Sequence, residues 1–299
     1  MKLAPIVLFT YNRPWHTRQT IEALQKNELA QYSEIFIYSD APKNEQAVKK
    51  VSEVRNYIKT INGFKKISLI ERKENVGLAR NIIDGVTDVV NKYGRVIVIE
   101  DDVVVNLNFL IFMNNALDFY ENTKKVWHIS GWNYPIDMSD LPETFLWRLM
   151  NCKGWATWED RWKYFERNPE KLKPEFSKED IHHFNLEGTH DFWKQVQQNV
   201  DGKINTWAIF WYAIIFKQKG LCLNPGQSLV QDIGFDGSGI HCNKCCYSET
   251  MQPNHLPVKF QNDLIECKKC IEIIKNYLND VKLSSHVQII RKIKQWFNN

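Results

Sequence analysis

Arg95-Val96-Ile97-Val98-Ile99-Glu100-Asp101-Asp102 is a β-branched apolar run that breaks into three consecutive carboxylates. Four aliphatic residues of this kind suit a strand buried on both faces, whereas three adjacent acids cannot enter a core unpaired. The acids therefore mark the point where the strand emerges. In open α/β sheets that carboxyl end is the ligand-binding edge, and clustered oxygen donors there suit a hard divalent cation such as Mg2+ or Mn2+ holding phosphates. A solvated acidic turn is the alternative, because loop carboxylates after strands are common.

Outward from this stretch, strand and helix signals alternate regularly. Strands are expected at Ile6-Thr10, Ile35-Ser39, Ile67-Glu71 and Val96-Glu100, with helices over Thr17-Asn27, Glu45-Ile61 and Leu78-Tyr93 between them. That order predicts an α/β fold with a mostly parallel sheet and helices on its faces. A further helix, Asn108-Tyr120, and strand, Val126-Gly131, follow the acids. No glycine-rich phosphate fingerprint follows any of these strands, which argues against a dinucleotide or Walker-type site.

The chain of 299 residues is 43% hydrophobic and 25% charged, a globular composition with enough length for a large core. The amino-terminal stretch holds Pro5 and runs into Tyr11-Asn12-Arg13, so it is expected to be a first strand and not a leader. Seven cysteines, an odd number in a chain too large to need disulfides, suit reduced thiols and a cytoplasmic enzyme. Residues 281–299 carry four basic residues and no acid, so the remaining 280 residues balance at 35 basic against 35 acidic. A nucleic-acid partner is not expected from that balance.

Most of the 11 tryptophans fall between Trp127 and Trp211. Trp132, Trp147, Trp155, Trp158, Trp162, Trp193, Trp207 and Trp211 lie among charged and amide residues, which suggests a surface for stacking sugar rings. Trp162 and Trp211 sit at helical spacing and fit a core role better. Further on, Gly234-Phe235-Asp236-Gly237-Ser238-Gly239 has the composition of a flexible loop, suited to a lid over an active site or to a plain surface turn.

Together, the segment from Pro5 to Pro14, Ser39-Asp40 closing the second strand, Asn75-Val76-Gly77-Leu78-Ala79-Arg80-Asn81 and Glu100-Asp101-Asp102 resemble the nucleotide-sugar half of GT-A glycosyltransferases. The resemblance covers roughly residues 4–245 and is greatest to the N-acetylglucosaminyltransferase I type and to bacterial sugar transferases of surface-polysaccharide loci. It implies that Arg13 faces the nucleotide diphosphate, its guanidinium fork matching phosphate oxygens. It also implies that Asp40 accepts from a uracil NH and that Asn75 and Arg80 lie near the sugar and ribose. Asp102 would touch the metal directly, with Glu100 and Asp101 holding water ligands, ribose or sugar.

An inverting transferase further needs a carboxylate to take the proton of the attacking hydroxyl. In the N-acetylglucosaminyltransferase I type that acid lies in a Trp-Asp-Asp-Trp segment, but the matching Thr206-Trp207-Ala208-Ile209-Phe210-Trp211 contains none. A second GT-A pattern, an acidic pair after Gly-Trp, is seen in Gly154-Trp155-Ala156-Thr157-Trp158-Glu159-Asp160, so Asp160 is expected as base with Glu159 second. These acids also suit the first turn of a helix, where they would compensate its dipole. Asp201 and Asp232 are the remaining candidates.

His241 aligns with a family histidine near the nucleotide, where it would complete the metal shell or contact phosphate. It also stands beside Cys242-x-x-Cys245, which with Cys246 and Cys267-x-x-Cys270 has the spacing of a structural Zn2+ site; plain reduced thiols are the alternative. The tail from His286 to Phe297 reads as a basic amphipathic helix, suited to peripheral contact with an anionic membrane or to docking on its own domain.

The resemblance thus implies a metal-dependent glycosyltransferase moving a sugar from a UDP-sugar donor to a carbohydrate or lipid-linked glycan acceptor, with inversion, in cell-surface polysaccharide biosynthesis. Residues 1–131 would form the nucleotide-sugar half, 132–260 the acceptor half and 261–299 a helical extension. A sugar nucleotidyltransferase and a non-catalytic carbohydrate-binding protein are the rivals.

Overall fold

The computed structural model describes residues 3–137, 141–237 and 259–297, with residues 283–297 described as backbone only. The alternating first half forms β1 (Ile6–Thr10), α1 (Pro14–Gln25), β2 (Glu34–Ser39), α2 (Glu45–Ile58), β3 (Lys66–Glu71), α3 (Leu78–Tyr93) and β4 (Arg95–Glu100). These are the strands and helices expected, with boundaries shifted by a few residues. At α1 the start moves from Thr17 to Pro14, because proline at a helix's first position gives up no hydrogen bond.

After β4 come β5 (Val103–Val105), α4 (Phe109–Phe119), β6 (Val126–Ser130), β7 (Thr144–Trp147) and β8 (Trp155–Trp158). The helices α5 (Glu159–Trp162), α6 (Pro169–Leu172), α7 (Lys178–Phe184), α8 (Trp193–Val200) and α9 (Ala208–Lys217) follow, then β9 (Leu221–Pro225), β10 (Val230–Asp232) and α10 (Lys268–Phe297). One eight-stranded sheet has the order β3-β2-β1-β4-β8-β6-β9-β7, and β5 and β10 form a separate antiparallel ribbon. Six strands of the large sheet run one way; β8 and β7 run against them.

Alternation along the central strands shows why the sheet is sandwiched. Val7 and Phe9 of β1 and Val96 and Val98 of β4 enter one core, together with Ile82, Val86 and Val89 of α3. Ile6, Leu8, Ile97 and Ile99 enter the other, against Ile21 and Leu24 of α1 and Phe109 and Phe112 of α4. With both faces covered, the strands carry no polar face, hence the unbroken aliphatic run before Glu100.

The tryptophans correct the expected binding surface. Trp147, Trp155, Trp158, Trp162, Trp193, Trp207 and Trp211 are all at most 4% exposed. Trp155 stacks on Trp207 with centroids 5.2 Å apart and Trp162 packs on Trp211 at 5.0 Å, so these rings fill the core beneath β8 and α9. Buried His128 stacks on Trp155, and its Nδ1 accepts from the Trp211 indole NH at 3.3 Å. Only Trp132 of the eight is partly exposed.

Candidate functional site

The carboxyl ends of β1, β2 and β4 converge on one edge of the sheet, where Tyr11 to Arg13, Asp40 and Glu100 to Asp102 emerge. Because β8 is antiparallel to β4, with Val98 opposite Trp155, the Cys152-Lys153-Gly154 turn arrives at the same edge. The β5–β10 ribbon adds a residue from far along the chain: Asp232 pairs with Val103 and so lies beside Asp102, an arrangement fixed by the Ile233 NH donating to the Asp102 carbonyl at 2.9 Å.

Asp102 and Arg13 form the centre of this edge. Arg13 Nη1 donates to Asp102 Oδ2 at 2.7 Å, both side chains being largely buried. The neighbouring Nε and Nη2 of Arg13 are buried without a hydrogen-bond partner. Asp232 accepts from the Gly234 NH at 2.7 Å and pairs with Lys153 Nζ at 3.0 Å. Lys153 also lies over the rings of Trp132 and Phe235, 4.8 and 4.7 Å from their centroids.

Burial and mutual repulsion raise the proton affinity of the acids. Glu100 stands well above the ordinary carboxylate range, first through burial and then through Asp102, Asp101 and Asp232, with Arg13 opposing. Asp102 is raised by burial and by Asp232, again against Arg13. Asp101 is pushed up to about 7 by burial and by Asp102, although Arg13 and the Tyr11 NH donating to its Oδ2 at 3.2 Å work the other way.

This gives a pH dependence with a defined sign. The folded value for Asp101 lies above its ordinary 3.8, so folded chains hold a proton that unfolded chains release between these pH values. Its stabilising contribution is present at acid pH and is lost as pH rises through about 7. In metal-free buffer, Asp101→Asn should flatten the fall of stability between about pH 5 and pH 8, by on the order of 3 kcal/mol in denaturant titrations. An unchanged slope contradicts the assignment.

A divalent cation fits this donor set. A Cβ placed on Gly234 would collide with Asp102 Oδ2 and lie 3.0 Å from both Asp232 Oδ1 and Arg13 Nη2, so two carboxylates and a guanidinium close in on the Gly234 backbone, which only glycine permits. Among the described residues no three His, Cys, Asp or Glu side chains form a closed metal cluster. Two carboxylates with the remaining positions left to water and phosphate are what a Mg2+-like ion requires.

Asp40 accepts hydrogen bonds from the turn that opens α3. Its Oδ1 accepts from the Ala41 and Val76 NH groups at 2.9 and 3.0 Å, and its Oδ2 from Asn75 Nδ2 and the Gly77 NH at 3.1 and 2.9 Å. A carboxylate has about four lone-pair positions, and here four internal donors occupy them. Asn75 also donates to the Ala41 carbonyl at 2.7 Å, so both residues pin the turn that opens α3. Arg80 projects outward, its side chain 71% exposed, with Asp84 at 3.6 Å. Asp40→Ala, which strands four donors, one of them buried and three part-buried, should cost about 3 kcal/mol in chemical denaturation; a loss under about 1 kcal/mol contradicts the pinning role.

The acids expected to supply the base are not brought to this edge. β8 ends at Trp158 opposite Arg95, the start of β4, so Glu159 and Asp160 lie at the far edge of the sheet, where the Glu159 NH donates to the Gly94 carbonyl at 2.9 Å. Asp160 pairs there with Lys124 and Arg161. Asp201, the third candidate, caps α8 and pairs with Lys203. His241, Cys242, Cys245 and Cys246 lie outside the described residues, while Cys267 and Cys270 sit side by side at the start of α10, sulfurs 2.7 Å apart. No helix among the described residues is long and apolar enough to cross a membrane.

A broad groove of about 1270 Å3 opens at that far edge, lined by residues including Arg148, Glu187, Phe216, Ile265 and Lys275. Within it Arg148 pairs with Glu187 and Glu266, and Lys275 with Glu187. At the carboxylate edge, by contrast, the acids raise one another's proton affinity and two guanidinium nitrogens of Arg13 make no hydrogen bond.

No protein-family model matches the chain, and no curated protein matches it in sequence. Among solved structures it is similar to the mannosyltransferase PcManGT from Pyrobaculum calidifontis in complex with GDP-Man and Mn2+. That likeness has 12% identity and a TM-score of 0.44 over 73% of this chain and 69% of the other. It is also similar to residues 1–349 of S. aureus TarS, with 9% identity and a TM-score of 0.42 over 76% of this chain and 59% of that one. Another S. aureus TarS structure matches with 16% identity and a TM-score of 0.33, over 48% of this chain and 25% of that one. Such scores describe a loosely shared chain path, and the chemistry of the site rests on its own geometry.

Proposed function

We propose that the chain is a metal-dependent glycosyltransferase of GT-A type that takes a nucleotide-sugar donor, UDP-linked by its sequence resemblance, at the carboxyl edge of β1 and β4. The observation that carries this reading is the convergence of Asp102, Asp232 and Arg13 beside Gly234 at that edge. It pairs an oxygen site for a hard cation with a guanidinium whose free nitrogens match phosphate oxygens. Asp102 and Asp232 would hold the ion. Bound there with the diphosphate, Mg2+ or Mn2+ supplies Lewis acidity that offsets the charge developing on the leaving group.

The chain's own residues do the rest. Arg13 orients the diphosphate and, buried at 13% exposure, does so in surroundings that strengthen the interaction. Lys153 holds Asp232 in place and spans Trp132 and Phe235, which offer apolar ring surface beside the site for a carbohydrate acceptor. Direct displacement with inversion needs its proton acceptor at this edge. The acids available here besides the ion's own ligands, Glu100 and Asp101, lie at the end of β4 and in the turn after it, not in α5. A role in surface-glycan synthesis and a peripheral membrane contact through the carboxyl-terminal helix belong to the same proposal.

The test is sugar transfer or donor hydrolysis across a panel of nucleotide sugars with Mn2+. Wild type should turn over at least one donor, Asp160→Asn should retain activity within about twofold, and Asp232→Asn should lose about a hundredfold or more. Loss in Asp160→Asn with retention in Asp232→Asn would move the chemistry to the far edge of the sheet.

A further inference from the structure

The guanidinium of Arg13 is half used: Nη1 serves Asp102, while Nε and Nη2 are buried without a hydrogen-bond partner. One turn along, His16 is also buried, 6% exposed, and its Nε2 makes no hydrogen bond of proper geometry. Both groups face the same carboxylate. Asp236 Oδ2 lies 3.1 Å from His16 Nε2, and Asp236 Oδ1 lies 3.9 Å from Arg13 Nη2. Asp236 itself is 46% exposed and reaches inward from the turn between Gly234 and Gly237.

The fit of this carboxylate is poor in a specific way. A guanidinium fork is satisfied by two parallel oxygens at hydrogen-bond distance. Asp236 instead approaches at ion-pair range, leaving both Arg13 nitrogens without a bond. The turn that carries it runs from Gly234, tied to Asp232, to Gly237, whose φ of +86° is open to glycine at little cost. A tetrahedral anion with three oxygens could meet both Arg13 nitrogens and His16, which one carboxylate does not.

We propose that Arg13 and His16 form a phosphate-oxygen site and that Asp236 occupies it until the diphosphate of the donor displaces it. Asp236 is then a built-in competitor, neutralising the buried cation between turnovers and lowering apparent donor affinity by the fraction of time it is docked. His16 is a positioning and phosphate-binding residue. The inference rests on the diphosphate assignment made above and extends it to His16 and to the turn that carries Asp236.

Calorimetric titration of inorganic pyrophosphate with Mg2+ into wild type, Asp236→Asn, Arg13→Ala and the double variant tests it. Asp236→Asn should bind about fivefold more tightly than wild type, the scale of one part-exposed ion pair. Arg13→Ala should bind more weakly, and Asp236→Asn should bring no gain in the Arg13→Ala background. Asp236→Ala, judged folded by its thermal midpoint, should repeat the gain. If Asp236→Asn binds no more tightly while Arg13→Ala weakens binding, the competitor role fails and the diphosphate site stands. A gain that persists in the Arg13→Ala background is a through-space charge effect and overturns the inference. Pyrophosphate binding to none of the proteins overturns the inference and the diphosphate site together.

Discussion

Asp102→Ala should abolish metal-dependent nucleotide binding and reduce sugar transfer by about a hundred- to a thousandfold, the range for removing a group that stabilises developing charge. The fold should survive this change. Asp102 is repelled by Asp232 and burdened by burial, both of which raise its proton affinity, so its removal relieves repulsion while breaking the Arg13 contact. The thermal midpoint without metal should therefore stay within a few degrees of wild type, and stabilisation by added Mn2+ should vanish. A variant that unfolds, yet keeps its response to Mn2+, would assign Asp102 a structural role.

Arg13→Ala should raise the KM for the nucleotide sugar by about ten- to a hundredfold, as expected for loss of charge-assisted hydrogen bonds to phosphate. A second effect follows from the same contact. Arg13 opposes protonation at Glu100, Asp101 and Asp102, so without it these carboxylates hold protons to higher pH. Metal binding in the variant should need a higher pH than in wild type, because the ion must displace those protons. Equal pH dependence of Mn2+ binding in the two proteins would contradict the electrostatic coupling.

The features of the fold legible in the sequence are those decided locally. The aliphatic run before Glu100 is a strand covered on both faces, as its lack of a polar alternation requires. The three acids emerge at its carboxyl end, and the mostly parallel sheet follows from the alternation of strands and helices. Arg13 falls at this edge because a short turn joins β1 to α1.

What remained hidden depends on direction and on distant pairing. Gly154-Trp155-Ala156-Thr157-Trp158-Glu159-Asp160 carries no mark of which way its strand runs. The antiparallel course of β8 sends Lys153 to the site and Asp160 away from it. Asp232 reaches Asp102 only through the pairing of β10 with β5, which no local pattern announces; the one hint is the glycine two residues on, the residue type that packs against both carboxylates. The tryptophans misled because polar neighbours in sequence are not neighbours in space: Trp155, Trp162, Trp207 and Trp211 find each other across α5, β8 and α9. Asp40 was legible as a significant acid at a strand end, but its four internal donors appear only when the turn at Asn75 to Gly77 folds against it.

The most direct measurement is calorimetric titration of UDP, with GDP in parallel, into the wild-type protein with Mn2+ and again with EDTA. The site described here predicts binding of a nucleoside diphosphate with Mn2+ and a loss of at least tenfold in affinity with EDTA. Binding of equal strength with and without the metal, or no binding of either nucleotide, would contradict the assignment of Asp102, Asp232 and Arg13 to a cation-bridged diphosphate site.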